Sequence, residues 1–317
     1  MNNQLYMKLY KLYAEVLRTK NNLPIYSIKS SSYFKKTYSL EYENEKINLL
    51  NNLEGNNILI LAPHIDDDII GCGGTILKYI NNGKKVHIVY LTNGNKNGNP
   101  EERYNEAIHV ASTIGICREN LYFLSSNDKE LLTSNIEDEL ISVIEKVKPD
   151  TIFLPCTLDT HIDHFGASKK LVNAYSLCKN AFDTVKNIYQ YESQSPITHI
   201  YANTLLDITN EINKKMETLS LYPSQKISFK FFKDLYKVNG MFIGKNRYGE
   251  FFIKSTLEEF NNFYINNFTK IEKYESIKVK LIPFRNRNSI IKAYNSSIDN
   301  KSMLKVFKSS RENTKAF

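Results

Sequence analysis

The chain has 317 residues, 42% hydrophobic and 24% charged, a globular balance that excludes a disordered polymer. No run approaches the ~18 apolar residues of a spanning helix, and the N-terminus, broken by Lys8 and Lys11, lacks a secretory signal's apolar core. Four cysteines suggest no disulfide framework, so a reducing cytoplasm is expected. The net charge of +8 lies in residues 276–317, where ten Lys/Arg stand against two Asp/Glu, so the body of the chain is neutral.

Residues 1–50 read as an extension, with a short helical pattern (Leu5, Leu9, Leu12, Val16) ending near Pro24. Asn57–Ala62 is a continuous apolar run, the mark of a strand buried on both faces. A glycine cluster, Gly71-Cys72-Gly73-Gly74, leads into a helix expected over 72–82, closed by Asn81-Asn82-Gly83. Val86–Thr92 predicts a strand and Pro100 to Gly115 a helix, with proline and two glutamates where the helix dipole favours them. A strand at Leu121–Leu124, a helix at Asn135–Lys146, a strand at Thr151–Pro155 and a helix from Phe165 to Cys178 follow. This alternation predicts an α/β fold: a doubly wound, Rossmann-like, mostly parallel sheet with helices on both faces, plus N- and C-terminal extensions. Ile188–Glu192 and Tyr201–Ile208 read as further strands, and Thr209 as the cap of a helix to Leu221. The main domain is expected over 51–255, and 256–317 as a basic, helical extension ending in a solvated tail.

Two clusters carry the chemistry. Pro63-His64-Ile65-Asp66-Asp67-Asp68 follows the first buried strand, and His161-Ile162-Asp163-His164 follows the fourth; together they hold three of the six histidines. In a sheet of order 3-2-1-4 those strands are neighbours, and a crevice opens at their carboxyl ends. Histidine and aspartate converging there suggest a transition metal. His64, Asp67 and His164 make a two-histidine, one-carboxylate set with an open position for water on zinc. Bound zinc lowers a water's pKa to about 7. Asp66 could take that proton, and His161, oriented by Asp163, could protonate the leaving group or stabilise an oxyanion. The glycine cluster is no dinucleotide motif, because Ile76 stands where a third glycine is needed and three aspartates would repel a pyrophosphate. The glycines are expected to allow close helix packing. Cys72 and Cys156 are expected to pack as small apolar side chains.

At these residues the sequence resembles the PIG-L/LmbE family of zinc-dependent N-acetylglucosamine deacetylases, which carries (A/P)HPDDE after its first strand and HxDH after its fourth. Leu91-Thr92-Asn93-Gly94, Arg103 with Glu106, Tyr191-Glu192, Tyr222-Pro223-Ser224-Gln225 and Gly249-Glu250-Phe251-Phe252 are similar to later words of that family. The resemblance covers about residues 55–255. It implies Zn2+ on His64, Asp67 and His164, Asp66 as general base, His161 as acid or oxyanion donor with Asp163 behind it, and Arg103 on substrate oxygens. The implied reaction is removal of acetyl from an N-acetylated amino sugar or its conjugate. Ile65 and Asp68 depart from the family's proline and glutamate. A metal-dependent phosphoesterase and a non-catalytic glycan- or membrane-associated adaptor are the alternatives. No nucleic acid partner is expected. A weak contact of the 276–317 tail with anionic membrane is a second reading of its charge, and the sequence leaves the oligomer open.

Overall fold

The computed structural model describes residues 47–50, 54–95, 99–225 and 228–284, with scattered positions from 289 to 307. The helical pattern expected before Pro24 lies outside the described residues, as does the tail from 308. One eight-stranded sheet organises the rest. Its strands are β1 (Asn48–Leu50), β2 (Asn57–Ala62), β3 (Lys85–Thr92), β4 (Leu121–Ser126), β5 (Thr151–Pro155), β6 (Asn187–Tyr191), β7 (Thr204–Asp207) and β8 (Gly249–Ser255), in the order β1-β7-β8-β6-β5-β2-β3-β4. Every pairing is parallel except those of β8, which runs antiparallel to both neighbours. The segment β4-β3-β2-β5 is the 3-2-1-4 order that the alternation of elements predicts.

The helices are α1 (Asp67–Asn81), α2 (Pro100–Thr113), α3 (Glu137–Val147), α4 (Ile162–Leu177), α5 (Thr198–Tyr201), α6 (Ile212–Leu219), α7 (Phe232–Gly240), α8 (Leu257–Phe268) and α9 (Ile271–Lys278). Alternation along β2 divides the core. Leu59 and Leu61 face a cluster shared with α3, α4, α8 and α9, whereas Ile58, Ile60 and Ala62 face one shared with α1, α2, α6 and α7. Burial on both faces explains why β2 reads as an unbroken apolar run. Local signals set the helix ends: Asn99 caps α2 ahead of Pro100, and Thr256 and Glu259 form a reciprocal capping box on α8.

Several expectations change, among them the cap of α6, which is Glu211 and not Thr209. The first helix starts at Asp67 rather than near 72, so the aspartate run is its N-cap and first turn. The strand expected over Tyr201–Ile208 spans only Thr204–Asp207, because Thr198–Tyr201 forms the short helix α5. Leu50 and its neighbours, placed in the N-terminal extension, form β1 and pair with β7. The tail is only partly solvated among the described positions up to 307. Met303, Val306 and Phe307 are buried, Phe307 stacks on Phe263 at 5.3 Å, and Ser297 accepts a hydrogen bond from Tyr201 Oη at 2.8 Å. Apolar side chains of α8 and α9 join the strand core, so packing does not stop at residue 255. No helix among the described residues is long and apolar enough to cross a membrane.

The glycine cluster packs as expected. A Cβ at Gly71 would overlap the Tyr191 ring, and one at Gly74 would overlap Ile208. That closeness lets Glu250 on β8 accept from the Gly74 and Thr75 backbone N–H groups at 2.8 and 2.9 Å. Lys215 on α6 completes the buried polar cluster, donating to Glu250 at 2.7 Å and to the Ile70 carbonyl at 2.8 Å.

Glu192, just past β6, is buried and accepts from Ile197 N and from Asn239 Nδ2. Burial raises its pKa from the ordinary 4.5 to about 7, against those hydrogen bonds and Lys215. A raised carboxyl pKa gives stability that is complete below the unfolded value and lost as pH rises through the folded one. Thermal melts of a Glu192→Gln protein should therefore fall less between pH 5 and 8 than those of the wild type. Parallel pH curves would remove Glu192 as a source of that dependence.

Candidate active site

The turn after β2 and the turn after β5 meet at the carboxyl ends of adjacent strands, as the topology requires. Asp66, at the N-cap of α1, holds φ at 141°. A non-glycine residue rarely adopts that region, and such strain concentrates at functional sites. The residue is 7% exposed and faces a cavity of about 480 Å³ that His64, Asp67, Arg103 and His161 also line.

The three residues expected to hold the metal, His64, Asp67 and His164, converge, and His161 joins them. Nitrogens of His64, His161 and His164 lie within 4.8 Å of one another. Asp67 Oδ2 is 3.0 Å from His64 Nδ1 and 3.2 Å from His164 Nε2. His164 is fully buried, and both of its ring nitrogens stand 3.2 Å from carboxylate oxygens, Nε2 from Asp67 and Nδ1 from Asp159. Three histidine rings and a carboxylate gathered this closely match the donor chemistry of a transition-metal site. The residues therefore fit a metal ion.

Carboxylates around this set hold it in place. Asp159 Oδ1 stands 3.2 Å from His164 Nδ1 and accepts from His161 N at 2.9 Å, while its Oδ2 accepts from Gln194 N and Ser195 N. Ser193 Oγ donates to Asp67 Oδ1 at 2.5 Å. Asp163, expected behind His161, stands 3.0 Å from His64 Nε2 and 3.8 Å from His161 Nδ1. Its carboxylate also accepts from Lys129 N at 2.6 Å. His161 Nδ1 accepts instead from Asp163 N at 3.2 Å, which leaves the proton of a neutral ring on Nε2. Asp68 accepts from Tyr90 Oη at 2.9 Å, away from the histidines. Ile65 is buried, and Gln225 Nε2 donates to its carbonyl at 2.6 Å.

Adjacent aspartates feel opposite fields. Burial, then the charge of Asp67, raises the Asp66 pKa well above the carboxylate range, with His64 and Arg103 opposing. Asp67 is buried too, but the charge and hydrogen bond of His164 and the contacts of His64 hold it well below that range. Neighbouring carboxyls pushed apart in this way divide into a proton acceptor and a permanent anion.

Arg103 on α2 is 4% exposed, lines the cavity and has no hydrogen-bond partner for Nε. Glu106, one turn on, is committed to Ser224, accepting from its backbone N and its Oγ. Cys72 and Cys156 are buried beside the site, and burial raises both thiol pKa values. His87 sits half-buried on β3 and His109 exposed on α2, outside the cluster. Sequence reasoning missed Asp159, Ser193 and Tyr274. Tyr274 Oη donates to the carbonyls of Asp159 and His161 at 3.0 and 3.2 Å, and its ring stacks on Phe165 at 4.1 Å. Only Asp159 left a signal, as an acid two positions before the second motif.

Residues 59–175 match the PIG-L family, described as GlcNAc-PI de-N-acetylase. A diacetylchitobiose deacetylase of Thermococcus kodakarensis is 27% identical over 188 residues, 53% of this chain and 69% of that protein. A probable N-acetylglucosaminyl-phosphatidylinositol de-N-acetylase of Dictyostelium discoideum is 29% identical over 138 residues, 39% of this chain and 54% of that one. The solved N,N'-diacetylchitobiose deacetylase from Pyrococcus horikoshii shares the fold, with a TM-score of 0.57 at 24% identity over 78% of this chain and 98% of that chain.

Proposed function

We propose that this chain, which carries a PIG-L domain across residues 59–175, is a zinc-dependent hydrolase that removes acetyl from an N-acetylated amino sugar or its conjugate. The observation that carries this reading is the convergence of His64, His161 and His164 on Asp67, beside a strained Asp66 that lines the cavity. His64, Asp67 and His164 are the residues assigned to hold the ion. A zinc ion there supplies an acidified water and positive charge for the acetyl carbonyl. Asp66, which lines the cavity beside these residues, takes the proton of the attacking water. His161, with its proton on Nε2, donates to the developing oxyanion. Asp163 and Asp159 fix the orientation of the histidines. The proton held on Asp66 then passes to the departing amine, giving free amino sugar and acetate.

Arg103 binds substrate oxygens, because its buried Nε is unpartnered beside the cavity. Arg103→Ala should raise KM for the preferred substrate about tenfold or more, with a smaller effect on kcat. An unchanged KM in steady-state kinetics would remove Arg103 from substrate binding. The deciding test of the function is primary-amine release from N-acetylated sugars and conjugates by zinc-loaded protein. Release of acetate and amine in equal amounts supports the reading. Phosphate release from phosphoesters in its place would move the site to the phosphoesterase class.

A further inference from the structure

The cavity is lined by two kinds of side chain. Asp66, Arg103, His161 and Gln225 are polar. Phe231, Phe232, Pro283 and Phe284 are apolar. Phe231 and Phe232 stack at 4.4 Å, and Phe284 meets Phe232 edge-on at 6.3 Å. Pro283 and Phe284 come from beyond α9, outside the segment that matches the family. They are fixed in place: Phe284 N donates to the Gln194 carbonyl at 2.7 Å, next to the Ser195 backbone held by Asp159.

None of these four side chains has a hydrogen-bonding group. A hydroxylated ring laid against them would lose water without gaining partners, a cost that apolar matter does not carry. Phenylalanine also differs here from tyrosine or tryptophan, which offer a polar handle with the ring. We infer that Phe284, with Phe231 and Phe232, is a specificity-determining wall that selects N-acetylated amino sugars bearing an apolar aglycone. This rests on the deacetylase reading: the acetamido group faces Asp66 and His161 while the aglycone lies on the wall.

The test uses full-length, zinc-loaded protein and the methyl, butyl and hexyl glycosides of N-acetylglucosamine. Each methylene placed on the wall can raise kcat/KM by up to about fourfold, and the hexyl-to-methyl ratio is expected to reach about tenfold or more. Phe284→Ala should flatten that ratio to within about twofold. Phe231→Ser is the second variant, since Phe231 is only half-buried and its loss threatens folding least. A flat ratio in the wild type, or a steep one retained in both variants, overturns the inference while the deacetylase reading stands. If no glycoside is deacetylated, that reading falls, and calorimetric binding of the hexyl and methyl glycosides judges the wall by itself. Tighter hexyl binding lost in Phe231→Ser supports the wall, and equal affinities overturn it.

Discussion

Asp66→Asn should retain the protein's metal and lose about a hundred- to ten-thousandfold in amine release, the range that a positioned general base supplies. The substitution is nearly isosteric and leaves the Cβ in place, so the turn at 141° can survive it. Asp66 makes no ion pair with the histidine cluster, whereas Asp67 contacts both His64 and His164. Metal content should follow accordingly, near wild type in Asp66→Asn and strongly reduced in Asp67→Asn. Elemental analysis beside the amine assay separates the two carboxylates. A full-rate Asp66→Asn enzyme would end the base assignment, and a metal-free one would make Asp66 a ligand.

The second large effect concerns stability. Lys215→Met should destabilise the fold by about 3–5 kcal/mol, the cost of leaving a buried charge without its partner. Lys215 and Glu250 are 0% and 1% exposed at the side chain, and the ammonium lies 3.5 Å from the centre of the Tyr236 ring. Removing the lysine strands Glu250 beside the Gly74 and Thr75 amides, which offset only part of its lost hydration. The double variant Lys215→Met, Glu250→Gln should recover much of the loss, because no unpaired charge remains and glutamine can still accept from one amide. Urea unfolding measures both. A single variant as stable as the wild type would show that this pair contributes little.

Much of this arrangement was legible because its signals are local. The unbroken run of β2, the alternation after it and the two motifs at strand ends suffice to expect His64, Asp67 and His164 together from the sequence alone. What stayed hidden depends on long-range packing. Ser193 is an ordinary serine until β6 brings it to Asp67, and Tyr274 is one of 21 tyrosines until α9 docks beneath the second motif. The start of α1 was misplaced because an aspartate run reads equally as loop, cap or first turn. Charge alone is a poor guide to the tail: its lysines among the described residues are largely exposed, but apolar residues between them, such as Met303 and Phe307, pack into the core.

The late arrival of β8 has a consequence for biosynthesis. It is the last strand among the described residues, yet it sits between β6 and β7 and joins them to each other. Until residue 255 has left the ribosome, β6 presents an open edge, and β7 with β1 has nothing in the sheet to attach to. Such edges invite pairing with other chains, and non-local closure of this kind slows folding. A truncation that stops before β8 would therefore be expected to aggregate even though it contains every residue assigned to the chemistry.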